Sequence, residues 1–432
     1  MRHIHRHQIL NPSKLKQKLL LWAQQFEHVL WLDSNNFKLK NSSYDAVLAV
    51  DALTAIQTDF ENAFEKLKDY QNSTNDWIFG YLAYDLKNDV EALSSNNFDG
   101  LNFPELFFFQ PKTIFFLKGN VLEVHHLGMV ADAIETYLKA IQSTDIKPTI
   151  DDYSNDNIDI KSRISKNDYI AKVETLLSHI HRGDIYEANF CQEFYAENLN
   201  INPVAKYLSL NAISTPPFAS FLKNNVNFAL SASPERYLRK EGNTVISQPI
   251  KGTSKRSKSL KQDKTLKKNL KNDPKERSEN VMIVDLVRND LAKTAKQGSV
   301  KVEELCKVYT FKQVHQMIST ITSEVEKCTH PVDILKTTFP MGSMTGAPKI
   351  SAMTIIEELE ETKRGLYSGA IGYFTPNGDF DFNVVIRSIL YDLEKKYASI
   401  SVGGAITAKS NPKKEYEECL VKSKAMLDVL KT

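Results

Sequence analysis

Long apolar runs are missing from this chain of 432 residues. Nowhere do about 18 apolar residues follow one another, so no transmembrane helix is indicated. Cysteine is scarce. The four residues Cys191, Cys306, Cys328 and Cys419 are widely scattered and form no Cys-x-x-Cys pair. That argues against a disulfide framework and fits a reducing compartment. None of the four lies in a Gly-x-Cys-x-Gly nucleophile setting, so the chain is not expected to hydrolyse glutamine. An excess of one charge is missing as well: 55 basic residues against 53 acidic ones leave +2. No overall field therefore argues for nucleic acid or a membrane surface. The N-terminus, with His3, His5 and His7 alternating, leads into no apolar core of signal-peptide length. The histidine triplet reads as solvated, and the chain reads as cytoplasmic.

What is present is ordinary for a globular enzyme: 42% hydrophobic and 25% charged residues. Residues 27–34 and 46–50 read as strands, and 60–67 and 130–141 as helices. The polar stretch 151–157 is the best linker, dividing a region 1–150 from a region 160–432. Lys166 to His181 has helical periodicity and runs into Gly183 as a C-cap. Beyond residue 369 the pattern becomes a meander, with strands expected at 369–374, 380–391 and 397–407 and a turn at Thr375-Pro376-Asn377-Gly378-Asp379. Strands and helices without strict βαβ alternation predict an α+β fold.

Residues 251–277 hold eleven Lys or Arg against three acids, a local charge of +8. No aromatic residue is interleaved for base stacking, so the segment reads as a solvated, mobile loop rather than a nucleic-acid surface. Its place just after Thr253 suggests a flap that also attracts an anionic substrate.

Several residues carry possible chemistry. Lys251 stands where an apolar strand ends, and a lysine so placed serves as a nucleophile if its surroundings lower its pKa. Gly252 beside it permits a turn or a close approach to a ligand, and Thr253 adds a hydroxyl. Glu276 and Glu279 are three apart at the start of a helical run, hence on one face. Glu415 and Glu418 repeat that spacing on the last helix, which opens with Asn411 as cap and Pro412 at the first position. Such acids either answer the helix dipole or meet around a hard cation. The Gly342–Lys349 loop leads into a helix whose backbone donors suit an anion. Arg387 reads as part of an apolar strand and needs an anionic partner, a structural carboxylate or a substrate. Glu235 is either a general acid raised by burial or the ion-pair partner of Arg236. His315 lies in a helix-compatible run, 311–317.

Gly183-Asp184-Ile185-Tyr186, Ser233-Pro234-Glu235, Pro249-Ile250-Lys251-Gly252-Thr253, the 283–290 and 342–349 segments, Ile386-Arg387-Ser388 and Glu415-Tyr416-Glu417-Glu418 occur in one order. Together, over roughly 160–430, they make the chain resemble the chorismate-utilising enzymes. The resemblance implies one composite unit of packed β-sheets flanked by helices, with an anthranilate-synthase-like N-terminal region and a chorismate-binding catalytic region. It implies Mg²⁺ held by Glu276, Glu279, Glu415 and Glu418, with Glu279 and Glu418 in direct contact. Lys251 marks the branch that aminates chorismate, since anthranilate-forming members carry alanine there. The implied product is 4-amino-4-deoxychorismate, a folate precursor, with Glu235 as acid and His315 near the ring hydroxyl. Tyr367 and Arg387 match residues that meet the enolpyruvyl carboxylate, and Gly252, Thr253, Gly403 and Gly404 match substrate-binding backbone. Ammonia is expected from a separate glutamine amidotransferase subunit.

Two positions depart from the family pattern. Val402-Gly403-Gly404-Ala405-Ile406 replaces the usual Gly-Ala-Gly-Ile. Glu187 stands where amide-transferring relatives have glutamine and isochorismate-forming ones a lysine base. The missing lysine argues against water as the nucleophile and leaves the role of Glu187 open.

Overall fold

A computed structural model of the chain describes residues 2–37, 43–146, 158–311 and 314–432. The linker expected at 151–157 lies outside the described residues. The α+β class is borne out: twenty strands and eleven α-helices alternate irregularly among the described residues. The strands that build the frame run antiparallel to their neighbours.

Strands from the first 150 residues are interleaved with later ones. His28–Asp33 pairs with Ala46–Thr58 on one side and Phe218–Asn224 on the other. Ile78–Leu82 lies between Leu106–Lys118 and Ala370–Phe374. Leu106–Lys118 is apolar along most of its length because both its faces are covered. Phe115 packs on Trp22 while Phe116, on the other face, packs on Tyr44 and Trp77. Pro111 in mid-strand sits opposite Ala52, at a register shift in the partner strand. There the missing N–H of proline costs no regular ladder bond.

Local signals set most element ends. The Lys166–Arg182 helix starts at Ser165, whose hydroxyl accepts from the Asp168 N–H, and stops at Gly183 with φ +87°. The two expected N-terminal helices form over Ala63–Thr74 and Ile134–Ser143, the second preceded by a 3-10 turn at Gly128–Ala133. The strand expected at 46–50 continues to Thr58.

Two expectations are corrected. The strand expected over 380–391 is two strands, Phe380–Val384 and Ser388–Asp392, broken at Arg387, whose φ is +54°. The basic segment is not a loop: strand Ile250–Lys255 runs on to helix Leu260–Asn272. Asp263 and Leu270, one face of that helix, are buried, and its lysines project to solvent.

Candidate active site

Lys251 belongs to the Ile250–Lys255 strand, which pairs with Val314–Glu324 across a register shift between Ile250 and Thr253. Gly252 makes that irregularity with φ +96°, and a Cβ there would lie 3.0 Å from Glu276 Oε2. Both observations require glycine. The Asn280 side-chain amide, buried, donates to the Lys251 carbonyl at 3.3 Å. Thr253 faces Gln316 across the ladder and is exposed.

Lys251 Nζ lies 2.8 Å from Glu187 Oε1. Glu187 is buried at the start of the Glu187–Ala196 strand, between Thr407 and Ala347 on its two neighbours. Burial pulls the Lys251 pKa down. The carboxylates of Glu187, Glu279 and Glu235 outweigh it and hold the amine above its ordinary value. The resting lysine is therefore an ammonium.

Glu235 is 5% exposed. Burial pushes its carboxyl up to about 7, against the opposing pull of the Ser343 hydroxyl, Lys251 and the Ile250 N–H. Arg236 is not its partner: that guanidinium bonds Asp381 at 2.9 Å and Gln248 at 2.8 Å. A proton on Glu235 near neutrality is what a general acid needs.

His315 is corrected from helix to strand. It lies on Val314–Glu324, opposite Ser254, and is buried. Its Nε2 is 3.1 Å from Asp263 Oδ1 and its Nδ1 3.0 Å from Thr310 Oγ1, so both ring nitrogens are engaged. Lys312 and Gln313 of the expected run lie outside the described residues.

The four glutamates come together from two helix starts. Asp273 caps the Pro274–Ala292 helix by accepting from Lys275 N and Glu276 N, and Asn411 caps Pro412–Lys431 in the same manner. Burial raises Glu276 and Glu415, and it pushes Glu279 up to about 7 against Lys251 and Lys275. Burial also works upward on Glu418, but Lys422 at 2.7 Å brings its carboxyl below the usual value. Glu279 Oε1 is buried and has no hydrogen-bond partner among the described residues. Lys275 stands 3.8 Å from it and 3.9 Å from Glu415 Oε1. Among the described residues, no three His, Cys, Asp or Glu side chains are arranged to hold a metal ion. The donor set nonetheless fits a hard divalent cation: Glu415 is buried, Glu276 and Glu279 are half-buried with one Glu279 oxygen unsatisfied among the described residues, Glu418 is exposed, and Lys275 and Lys422 now supply the positive charge.

Gly403 and Gly404 lie on the Tyr397–Thr407 strand, opposite Cys191 and Phe190. Lys422 Nζ donates to the Gly403 carbonyl at 2.8 Å. A Cβ on Gly404 would lie 3.4 Å from Glu415 Oε2, so that face opens on the glutamates. Arg387 reaches the Lys422 carbonyl at 3.4 Å. Its surroundings lower its pKa through burial, opposed by Tyr367 and Glu418. Yet its surface is open to solvent. Among the described residues no carboxylate lies within salt-bridge distance of it. Tyr367 is buried with its hydroxyl 3.9 Å from Cys191 Sγ. Lys349, in the expected anion loop, is itself buried on Asp290 and two backbone carbonyls.

Sequence reasoning missed Lys275, Lys422, Asn280 and Ser343. The two lysines had a signal: each is four residues from a glutamate on the same helix, Glu279 and Glu418. Asn280 and Ser343 had none, because their contacts come from distant strands.

The family model described as chorismate binding enzyme matches residues 13–428. An aminodeoxychorismate synthase of Arabidopsis thaliana is 35% identical over 380 residues, covering 83% of this chain and 41% of its own length. The chain thus spans about two fifths of that plant relative. Aminodeoxychorismate synthase component 1 of Klebsiella aerogenes is 37% identical over 272 residues, 63% of this chain and 60% of its own. Among solved structures, anthranilate synthase component I of Streptococcus pneumoniae superposes with a TM-score of 0.76 at 26% identity, covering 90% of this chain and 94% of that one. No helix of the described residues is long and apolar enough to cross a membrane.

Proposed function

The chain belongs to the chorismate-binding enzyme family, and from that premise we propose that it aminates chorismate to 4-amino-4-deoxychorismate, as an aminodeoxychorismate synthase component I. The observation that carries this reading is Lys251, an amine with Glu187 in contact and Glu235 and Glu279 close by. An enzyme that aminates this ring without losing the enolpyruvyl group needs a protein nucleophile to open the position that ammonia then takes.

The steps assign one task to each residue. The Lys251 nitrogen attacks ring carbon 2, both conjugated ring double bonds shift one place, and the hydroxyl on carbon 4 leaves as water with the Glu235 proton. Ammonia then adds at carbon 4, both double bonds shift back, and the bond from carbon 2 to Lys251 breaks. Arg387, with solvent access and no carboxylate within salt-bridge distance among the described residues, holds the enolpyruvyl carboxylate in this scheme, with Tyr367 beside it. Gly252, Thr253, Gly403 and Gly404 contribute substrate-binding backbone in this scheme. His315, fixed by Asp263 and Thr310, stands three residues along the ladder from Lys251 and borders the ring hydroxyl.

Glu276, Glu279, Glu415 and Glu418 would hold Mg²⁺, which supplies the positive charge that lets the ring carboxylate approach four glutamates. Ammonia would come from a glutamine amidotransferase subunit, since no cysteine of this chain has the sequence setting of a glutamine-hydrolysing nucleophile. The test is mass spectrometry of a reaction containing the protein, chorismate, Mg²⁺ and an ammonium salt. An amino product that keeps the enolpyruvyl group is expected; anthranilate with pyruvate would overturn the assignment.

A further inference from the structure

We propose that Glu187 and Lys251 act as one proton couple, in which Glu187 takes the proton of the lysine as it attacks the ring and returns it when the lysine is expelled. This rests on the amination reading above and gives a role to a residue that reading leaves idle. A lysine attacks through a lone pair that exists only after a proton is lost. Here the amine is surrounded by carboxylates: Glu187 on the Glu187–Ala196 strand, Glu235 before the Arg236–Glu241 strand, Glu276 and Glu279 on the Pro274–Ala292 helix, and Glu418 on the last helix. His315 on the neighbouring strand is turned to Asp263 and Thr310. The resting ammonium therefore needs a base at hand.

Glu187 is the carboxylate in hydrogen-bond contact, at 2.8 Å. Its other oxygen, Oε2, is buried and among the described residues has no hydrogen-bond partner, so the transfer disturbs no second bond of that side chain. Its backbone is held between two strands, which fixes the carboxylate against the lysine. In the transfer an N–H bond of Lys251 breaks, the electron pair stays on nitrogen, and an O–H bond forms on Glu187 Oε1. Ammonium with carboxylate and amine with carboxylic acid carry the same net charge, so no charge is added to a buried site. The freed pair then forms the bond to ring carbon 2. When that bond breaks, the pair returns to nitrogen and the proton returns from Glu187.

The experiment compares wild type, E187Q, E187D and K251A, with kcat and KM for chorismate measured at saturating ammonium from about pH 6 to about pH 9. In wild type the couple keeps its proton internally, and the lysine imposes no rising limb in the neutral range. In E187Q the proton must go to solvent. Its kcat is expected to fall at least about tenfold at neutral pH, and the ratio of its kcat to that of wild type to climb with pH, with KM changed less than about threefold. E187D, which keeps a carboxylate, should retain the wild-type profile even if its rate is lower. An E187Q profile parallel to wild type, with K251A inactive, overturns the couple and leaves the amination reading standing. K251A making the amino product at the wild-type rate overturns that reading itself. Should E187Q not fold, a pH profile in E187D that departs from wild type by a new rising limb contradicts the couple.

Discussion

Lys275 Nζ lies 3.9 Å from Glu415 Oε1 and so ties the start of the Pro274–Ala292 helix to the start of the last helix. The same ammonium is 3.8 Å from Glu279. Two acidic helix starts that would repel each other are held by a lysine between them. A divalent cation does that task with more charge. Mg²⁺ is therefore expected to raise Tm by on the order of a few degrees. K275M should lower Tm without Mg²⁺ and enlarge the rise with it. A smaller rise in K275M, measured by calorimetry across a Mg²⁺ titration, would contradict the competition.

Glu279 gives the pH dependence of that effect. Its carboxyl is pushed up to about 7 in the folded chain by burial, against an ordinary value of 4.5. The folded state then binds the proton more tightly than the unfolded one, so the contribution of Glu279 to stability falls as pH rises from about 4.5 to about 7. E279Q should make the metal-free protein more stable above pH 7 and reduce its response to Mg²⁺. Denaturant midpoints at pH 5 and pH 8, with and without Mg²⁺, read both effects.

Glu235 donates only while protonated, and its carboxyl titrates at about 7. Turnover should therefore decline as pH rises through about 7. E235Q should lose about 10²–10⁴-fold in kcat and abolish that descending limb, with little change in KM. Steady-state kinetics over the same pH range would check it.

The close approach of Gly252 to Glu276 makes a strong demand on sequence. G252A must take φ +96° and place a Cβ 3.0 Å from Glu276 Oε2. The backbone cost alone is about 1–2 kcal/mol, and movement of Glu276 adds to it. Urea denaturation should show that loss, accompanied by a weaker Mg²⁺ effect. A fully stable G252A would refute the geometry.

Arg387 tests substrate anchoring. Its guanidinium has no carboxylate within salt-bridge distance among the described residues. R387Q should raise KM for chorismate about 10- to 100-fold, the loss of a charged hydrogen-bond pair, while Tm changes little. A large fall in Tm with unchanged KM would make Arg387 a structural residue.

Much of this was legible because it is local. The cap at Asn411 and the stop at Gly183 each act on adjacent backbone, and each works as the sequence suggests. The two Glu pairs were legible for the same reason, since spacing alone sets them on one helix face. His315 was misread because a seven-residue run suits either period; its strand is imposed by the ladders to Ser254 and Thr310 on its two sides. The basic segment was misread because charge masked a helix with only Asp263 and Leu270 buried. The left-handed turn at Arg387 leaves no mark in an apolar run. Glu187 was noticed as a departure, but its contact with Lys251 spans 64 residues of sequence and depends on the folded sheet.

The proposed covalent role of Lys251 can be tested without following product. The protein is mixed with chorismate and Mg²⁺ but no ammonium, quenched in acid, and its intact mass and peptide map are recorded. The expected species is heavier by chorismate less one water, carried on the Lys251 peptide, absent from K251A and discharged when ammonium is added before the quench. No such species in wild type, together with K251A that forms the amino product at the wild-type rate, would contradict it.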